Sequence, residues 1–126
     1  MAKRVAVVIV NWNGRHHLEG CLATLFAQTF TDFEVILVDN GSTDGSVEWV
    51  GMHFPQVRLI GNTRNIGFAA GNNQAIRSTD AEFVVTLNND TRVEPQWLAE
   101  LIEAVVGDPT VGMVASKMLF ADRPNT

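Results

Sequence analysis

Short, largely apolar runs recur along this chain and are separated by segments with helical periodicity. The runs cover residues 5–10, 33–38, 57–60, 83–87 and 111–115. A brief apolar run that is rich in β-branched residues and ends at Asn or Gly is typical of a strand buried on both faces. The recurrence of such runs therefore predicts a parallel sheet.

The segments between the runs carry apolar residues at the spacing of amphipathic helices. The first such stripe consists of Leu18, Cys21, Leu22, Leu25 and Phe26. Further helices are predicted after Asp44, over 72–77 and after Thr91, where the spacing from Thr91 to Glu94 is that of a capping box. The order βαβαβαβαβ predicts an α/β fold, with a mainly parallel sheet and helices on both of its faces.

Composition and charge exclude several classes of protein. A length of 126 residues, 46% of them hydrophobic and 18% charged, suits one folded core. The 9 basic residues are scattered and the formal net charge is −5, so we expect no nucleic-acid partner. The single cysteine, Cys21, and 3 dispersed histidines exclude an internal disulfide and a Cys/His zinc site, and they favour a reducing compartment.

Asparagine residues collect directly after the predicted strands. Seven of the ten follow one of the first four runs: Asn11, Asn13, Asn40, Asn62, Asn65, Asn88 and Asn89. In open parallel sheets, ligands bind outside the carboxyl ends of the strands, where the strand order reverses. The alternative interpretation is that Asn and Asp favour turns anywhere, because their side chains imitate backbone hydrogen bonds.

Two carboxylates, Asp39 and Asp90, end apolar runs at the same predicted edge. Burying unpaired carboxylates there is costly, which implies a partner such as a metal ion or hydrogen-bond donors from a ligand. Magnesium takes one or two carboxylates and completes its shell with water and substrate phosphates, an arrangement that suits Asp90. The alternative for Asp90 is a capping or turn role beside Thr91.

An aromatic residue, Trp12, follows the first run in an Asn-Trp-Asn-Gly turn. Its indole could stack on a flat base, and the alternative is a lid over the core. The chain contains neither a Gly-x-Gly-x-x-Gly fingerprint after the first run nor a Gly-x-x-x-x-Gly-Lys-Ser/Thr loop. A dinucleotide-binding fold of the usual kind and a phosphate-loop NTPase are therefore both disfavoured.

Four segments in order, VAVVIVNWN, ILVDNGSTDG, NxGFAAGNN and LNNDT, run from residue 5 to residue 91. In this order and spacing the chain resembles the inverting family 2 glycosyltransferases of the GT-A, Rossmann-like fold of nucleotide-diphospho-sugar transferases, and most of all their rhamnosyltransferase branch. The resemblance implies that Trp12 stacks on the uracil or thymine of the donor, flanked by Val10 and Asn11. It also implies that Asp39 and Asn40 match a carboxylate pair, with the amide oxygen of Asn40 accepting the base N3 hydrogen.

The same resemblance assigns further donor-binding residues and a metal ligand. Asp90 is expected to bind Mg²⁺ or Mn²⁺, and Arg64 to reach the diphosphate. The remaining donor-binding positions by this comparison are Asn65, Gly67, Gly71, Asn73, Asn88 and Asn89. The metal would neutralise charge on the departing diphosphate, while a general base takes the proton of the acceptor hydroxyl.

In this family the general base lies later in the domain, so no catalytic residue is assigned within residues 1–126. We therefore expect a truncated domain, the N-terminal donor-binding half of a GT-A transferase without its acceptor-binding half, inactive alone. The expected donor is a dTDP- or UDP-sugar such as dTDP-rhamnose, and the acceptor a glycan or lipid-linked glycan in cell-wall or polysaccharide biosynthesis. The expected location is cytoplasmic, peripheral at the inner face of the membrane.

An incomplete domain leaves one sheet edge uncovered, which predicts a homodimer through that edge. Two alternative functions remain open. One is a non-catalytic nucleotide-binding or interaction module with the same fold. The other is a sugar nucleotidyltransferase, which needs a Gly-rich basic loop after the first run, where this chain has only Gly14 and Arg15.

Overall fold

The computed structural model describes residues 3–107 and 119–120. In chain order its elements are β1 (Val5–Asn11), α1 (Arg15–Leu25), β2 (Phe33–Asn40), α2 (Ser46–His53), β3 (Arg58–Asn62), α3 (Phe68–Arg77), β4 (Phe83–Thr86), β5 (Thr91–Arg92), α4 (Trp97–Gly107) and β6 (Leu119–Phe120). Within these two ranges, no helix is long and apolar enough to cross a membrane.

Four strands form one parallel sheet in the order β3-β2-β1-β4. The chain steps from β1 to β2 to β3 in one direction, and β4 then pairs on the opposite side of β1. The strand order therefore reverses between β1 and β4. Because ligands of open α/β sheets bind at such a reversal, the carboxyl ends of β1 and β4 are where a site is expected.

Helices cover both faces of this sheet, as predicted. Alternate residues of β1 point to opposite faces, so Val5, Val7 and Ile9 join the large core beneath α1, α2 and α4. Ala6 and Val8 instead join a smaller core with Ala75 of α3. The same alternation at the strand ends sends Asn11 and Asp39 to the first face and Asn40 to the second.

Several predicted boundaries need correction. Helix α3 begins at Phe68 rather than at residue 72. The capping box was wrong, because Thr91 lies in β5, which pairs antiparallel with β6, and α4 begins only at Trp97. The strand predicted over 111–115 lies outside the described residues.

The start of α4 is capped by a residue distant in the sequence. Gln28, 6% exposed, follows α1. Its Oε1 accepts the backbone N–H of Leu98 at 2.9 Å, and its Nε2 donates to the carbonyl of Glu94 at 2.7 Å. A first-turn N–H of a helix has no partner within the helix, so this amide replaces the missing acceptor.

Replacing Gln28 with Met keeps the size of the side chain but removes its hydrogen bonds to Leu98, Glu94 and Thr24. We expect Gln28→Met to lower the free energy of unfolding by about 1–3 kcal/mol, since buried polar groups lose their partners. Urea denaturation measures this. The control is Gln96→Met, an exposed glutamine just before α4, and an equal effect of the two substitutions would contradict the capping role.

Candidate functional site

A chain of hydrogen bonds crosses the carboxyl ends of β4, β1 and β2. Asn89 Nδ2 donates to Asn11 Oδ1 at 2.8 Å, and Asn11 Nδ2 donates to Asp39 Oδ1 at 2.9 Å. Ser42 completes the chain by donating its hydroxyl to Asp39 Oδ1 at 2.8 Å and its backbone N–H to Asp39 Oδ2 at 2.9 Å. We call Asn89, Asn11, Asp39 and Ser42 the edge network.

The carboxylate of Asp39 is therefore satisfied by the protein itself. Asp39 is 2% exposed, and both of its oxygens accept hydrogen bonds from Asn11 and Ser42. The expectation that this carboxylate needs a metal or a ligand for a partner was wrong. Asn11 supplies a donor because β1 and β2 pair with Asn11 directly beside Asp39, and Ser42 supplies the others from the turn three residues further on.

A second polar cluster lies on the opposite face of the sheet, beneath α3. Asn62 Nδ2 donates to Asn40 Oδ1 at 2.9 Å and to Gln74 Oε1 at 2.9 Å, while Gln74 Nε2 donates back to Asn62 Oδ1 at 2.8 Å. Asn40 Nδ2 donates to the Gly67 carbonyl at 3.1 Å. Asn40 is 1% exposed, so a base can reach its remaining lone pair only after covering residues move.

The loop from β3 to α3 is pressed against the loop after β2. Gly41 has φ +76°, and a Cβ there would lie 3.0 Å from the Cα of Arg64. The side chain of Arg64 is exposed, as are Asn65 and Gly67. This loop brings its predicted donor-binding residues to the same sheet edge as the edge network.

Two neighbouring asparagines in α3 differ in their exposure to solvent. Asn73, the predicted donor-binding residue, is exposed, whereas Asn72 is 9% exposed and its Oδ1 has no hydrogen-bond partner among the described residues. Gly71 is buried, and a Cβ on it would lie 3.2 Å from Val10 and 3.5 Å from Asn40. Gly71 therefore serves the close packing of α3 on β1 and β2.

The loop after β4 carries the predicted metal ligand. Its turn is held by the carbonyl of Asn88, which accepts the Thr91 hydroxyl at 2.7 Å and the Cys21 thiol at 3.7 Å. The side chain of Asn88 is exposed, and that of Asp90 is half-buried. Among residues 3–107, no donor hydrogen-bonds to the Asp90 carboxylate, so its oxygens are available to a cation.

The described residues at this edge fit a metal site in which protein and substrate both supply ligands better than a site built from protein ligands alone. The described parts of the chain contain no cluster of three or more His, Cys, Asp or Glu residues that could hold a metal ion. One free carboxylate, Asp90, with the amide of Asn88 nearby in sequence, suits Mg²⁺ or Mn²⁺ only when a substrate supplies further oxygens. The residues present therefore fit a cation that arrives with a diphosphate.

Trp12 lies on the surface just beyond β1. Its side chain is 56% exposed, so the interpretation of Trp12 as a lid over the core was wrong. The turn is fixed on either side by Asn13, whose N–H donates to Ser42 Oγ at 2.8 Å and whose Oδ1 accepts the Thr43 N–H at 2.8 Å. An exposed indole on a fixed turn is suited to stacking on a ligand.

Cys21 is confirmed as a core residue. It is 1% exposed, and burial, helped by the nearby charge of Asp90, raises the pKa of its thiol to about 12. The nucleophilic thiolate is therefore almost absent at neutral pH, and Cys21 has no role as a nucleophile.

Sequence reasoning missed three residues at this edge. Ser42 and Gln74 are the partners of Asp39 and Asn62, and Gly14 lies beneath the bond between Asn89 and Asn11. The sequence carried a weak signal for Ser42, which belongs to the Asp-Asn-Gly-Ser segment, and for Gly14 in the turn after β1. Gln74 carried none, because only the helix orientation brings it to β3.

Comparison with known proteins gives one family for almost the whole chain. The model of the family described as "Glycosyl transferase family 2" matches residues 6–125. N-acetylglucosaminyl-diphospho-decaprenol L-rhamnosyltransferase of Mycobacterium tuberculosis is 31% identical over 89% of this chain and 40% of its own length. Chondroitin synthase of Escherichia coli is 31% identical over 94% of this chain and 18% of its own length.

Two solved structures have the same fold as this chain. The mannosyltransferase PcManGT of Pyrobaculum calidifontis, in complex with GDP-Man and Mn²⁺, has a TM-score of 0.78 and 29% identity, over 89% of this chain and 34% of that one. S. aureus TarS 1-349 in complex with UDP-GlcNAc has a TM-score of 0.77 and 19% identity, over 90% of this chain and 37% of that one. The chain thus spans less than half the length of these proteins.

The substitution Asp39→Asn tests the edge network. It keeps the shape of the side chain but turns one acceptor into a donor facing the donors of Ser42 and Asn11, so we expect a loss of about 1.5–3 kcal/mol in unfolding free energy. Chemical denaturation measures this loss. Asp80→Asn, at an exposed position, is the control and should change stability by less than about 0.5 kcal/mol.

Proposed function

Because this chain belongs to glycosyltransferase family 2, we propose that its carboxyl edge binds the nucleoside diphosphate of a sugar donor. The whole protein would transfer that sugar to an acceptor hydroxyl with inversion. The observation that carries this proposal is the pair of available groups on either side of the strand reversal, the exposed indole of Trp12 after β1 and the Asp90 carboxylate after β4. They suit the two ends of a nucleoside diphosphate, an aromatic base and an anionic diphosphate.

For the base, we propose uracil or thymine stacked on Trp12, with Val10 and Asn11 beside it. The amide oxygen of Asn40 is the proposed acceptor for the base N3 hydrogen, since one of its lone pairs is left after the bond from Asn62. A dTDP-sugar such as dTDP-rhamnose is the proposed donor, which is supported by the similarity to a protein named as an L-rhamnosyltransferase.

For the diphosphate, the proposal rests on charge. Arg64 is exposed on the loop before α3, where its guanidinium can approach phosphate oxygens. Asp90 is the proposed ligand of Mg²⁺ or Mn²⁺, and a relative structure contains Mn²⁺ together with its donor. The bound cation would neutralise charge on the departing diphosphate. Asn65, Gly67, Asn73, Asn88 and Asn89 are proposed to line the remaining donor surface.

The proposal also concerns the rest of the protein. Residues 1–126 would form the donor-binding half of a GT-A domain, and this part alone would be inactive because the general base lies elsewhere. The proposed acceptor is a glycan or a lipid-linked glycan of cell-wall or polysaccharide biosynthesis, since one relative is named for a decaprenol-linked sugar. Because of this acceptor, we propose that the whole protein is cytoplasmic and binds peripherally at the inner face of the membrane.

A thermal-shift titration with UDP and dTDP, with and without Mn²⁺, tests donor binding. A ligand at 100 times its Kd should add about 2.7 kcal/mol to the stability of the folded state. We expect a shift with one of the two nucleotides that increases with Mn²⁺. The absence of a shift with both, in a folded sample, would remove the proposal.

Truncating the indole tests the stacking role. We expect Trp12→Ala to weaken nucleotide binding by about 1–3 kcal/mol, the contribution of one stacked base, with little change in unfolding temperature because Trp12 is exposed. Isothermal titration calorimetry measures the affinity. Met52→Ala is the matched control, since Met52 is a large apolar residue, 77% exposed, on α2.

We propose that the chain self-associates through one edge of the parallel sheet. Strand β4 ends the four-stranded sheet of the described residues, and Val84 on it is 36% exposed. We expect dimers at raised concentration through this edge. Size-exclusion chromatography with light scattering should show Val84→Lys as monomeric while Met52→Lys still dimerises. A wild-type chain that stays monomeric at high concentration would contradict the expectation.

A further inference from the structure

We infer that Asn11 and Gly14 are positioning residues, which hold the loop carrying Asp90 through the side chain of Asn89. This inference rests on the proposed function, because it assigns them a part in metal-assisted nucleotide binding. In this role no side chain at either position needs to touch the ligand. Asn11 is 0% exposed, and Gly14 has no side chain.

The direction of each hydrogen bond in the edge network follows from Asp39. An ionised carboxylate only accepts, so Asn11 must turn its Nδ2 toward Asp39 and its Oδ1 toward β4. The residue at position 89 must then present a donor to that oxygen, and Asn89 does so with Nδ2. The orientation of the Asn89 amide is thus determined by Asp39, acting through Asn11. Among the described residues, no donor hydrogen-bonds to Asn89 Oδ1.

Gly14 provides the space in which this bond forms. A Cβ on Gly14 would lie 2.2 Å from Asn89 Nδ2 and 2.5 Å from Asn11 Oδ1, far inside van der Waals contact. The backbone of Gly14 has φ −104° and ψ 24°, which do not require glycine. Position 14 therefore needs a residue without a side chain, because any larger residue must displace the amides of Asn11 and Asn89.

The held loop is short, so fixing Asn89 fixes Asp90. On one side of Asn89, the Asn88 carbonyl is tied to Thr91 and Cys21. On the other side, Asp90 is followed at once by β5. With Asn89 bonded to Asn11, the loop that presents the Asp90 carboxylate is attached to the end of β1, the strand that also leads to Trp12.

The experiment compares nucleotide affinity in Mn²⁺ with affinity in EDTA for Gly14→Ala and for the control Gly51→Ala. Gly51 lies in α2, and a Cβ there meets no atom of the described part of the chain within 4 Å. Residues that orient metal ligands typically contribute 10–100-fold to metal affinity. We expect Gly14→Ala to reduce the gain in UDP or dTDP affinity from Mn²⁺ by about tenfold or more, a larger factor than any loss of affinity in EDTA, while the control changes neither.

A second variant, Asn89→Ala, removes the same bond from its other side. We expect it also to reduce the gain from Mn²⁺, and the double substitution to lose less than the product of the two single losses, because one bond is removed in each case. If Gly14→Ala does not fold, Asn89→Ala still tests the inference. Equal losses in Mn²⁺ and in EDTA, independent losses in the double variant, or an unchanged gain in a folded Gly14→Ala would each overturn the inference.

Failure of the proposed function gives a different result. If the wild-type chain binds neither UDP nor dTDP, the donor proposal falls before any variant is compared. If the wild type binds with a gain from Mn²⁺ and Gly14→Ala retains that gain, only the positioning inference is overturned.

Discussion

The buried carboxylate of Asp39 is the interaction on which the arrangement of this sheet edge depends. It accepts hydrogen bonds from the loop after β2 and from the end of β1, and through Asn11 it reaches the loop after β4. Three loops from three neighbouring strands are thereby attached to one negative charge. A charge in this position is tolerated because its donors are held in place, Asn11 by the backbone pairing of β1 with β2 and Ser42 by the turn directly after β2.

The edge has two polar clusters, one on each face of the sheet, and they serve different loops. The edge network links the turn of Trp12 to the loop of Asp90, while Asn40, Asn62 and Gln74 hold the loop before α3. Where the family resemblance implies a second carboxylate after Asp39, this chain has Asn40. The edge therefore carries less negative charge than the resemblance implies, and a cation bound there would depend more on phosphate oxygens than on the protein.

Much of this arrangement could be predicted from the sequence, because it follows from patterns along the chain. The apolar runs predicted the four parallel strands, and the asparagines after them lie at the carboxyl edge of the sheet, where the pattern placed them. The start of α4 could not be predicted, since its cap is Gln28, which is distant in sequence. Nor could the sequence separate buried Asn72 from exposed Asn73, because one residue of helix rotation decides which of them faces the sheet.

The missing side chain at position 14 has a consequence for how this family varies. The backbone angles of Gly14 are accessible to any residue, so backbone conformation does not require glycine at this position. Its neighbours are two side chains from different strand ends, at positions 11 and 89. Substitutions at these three positions should therefore be correlated among relatives, and a larger residue at 14 should occur together with smaller residues at 11 or 89.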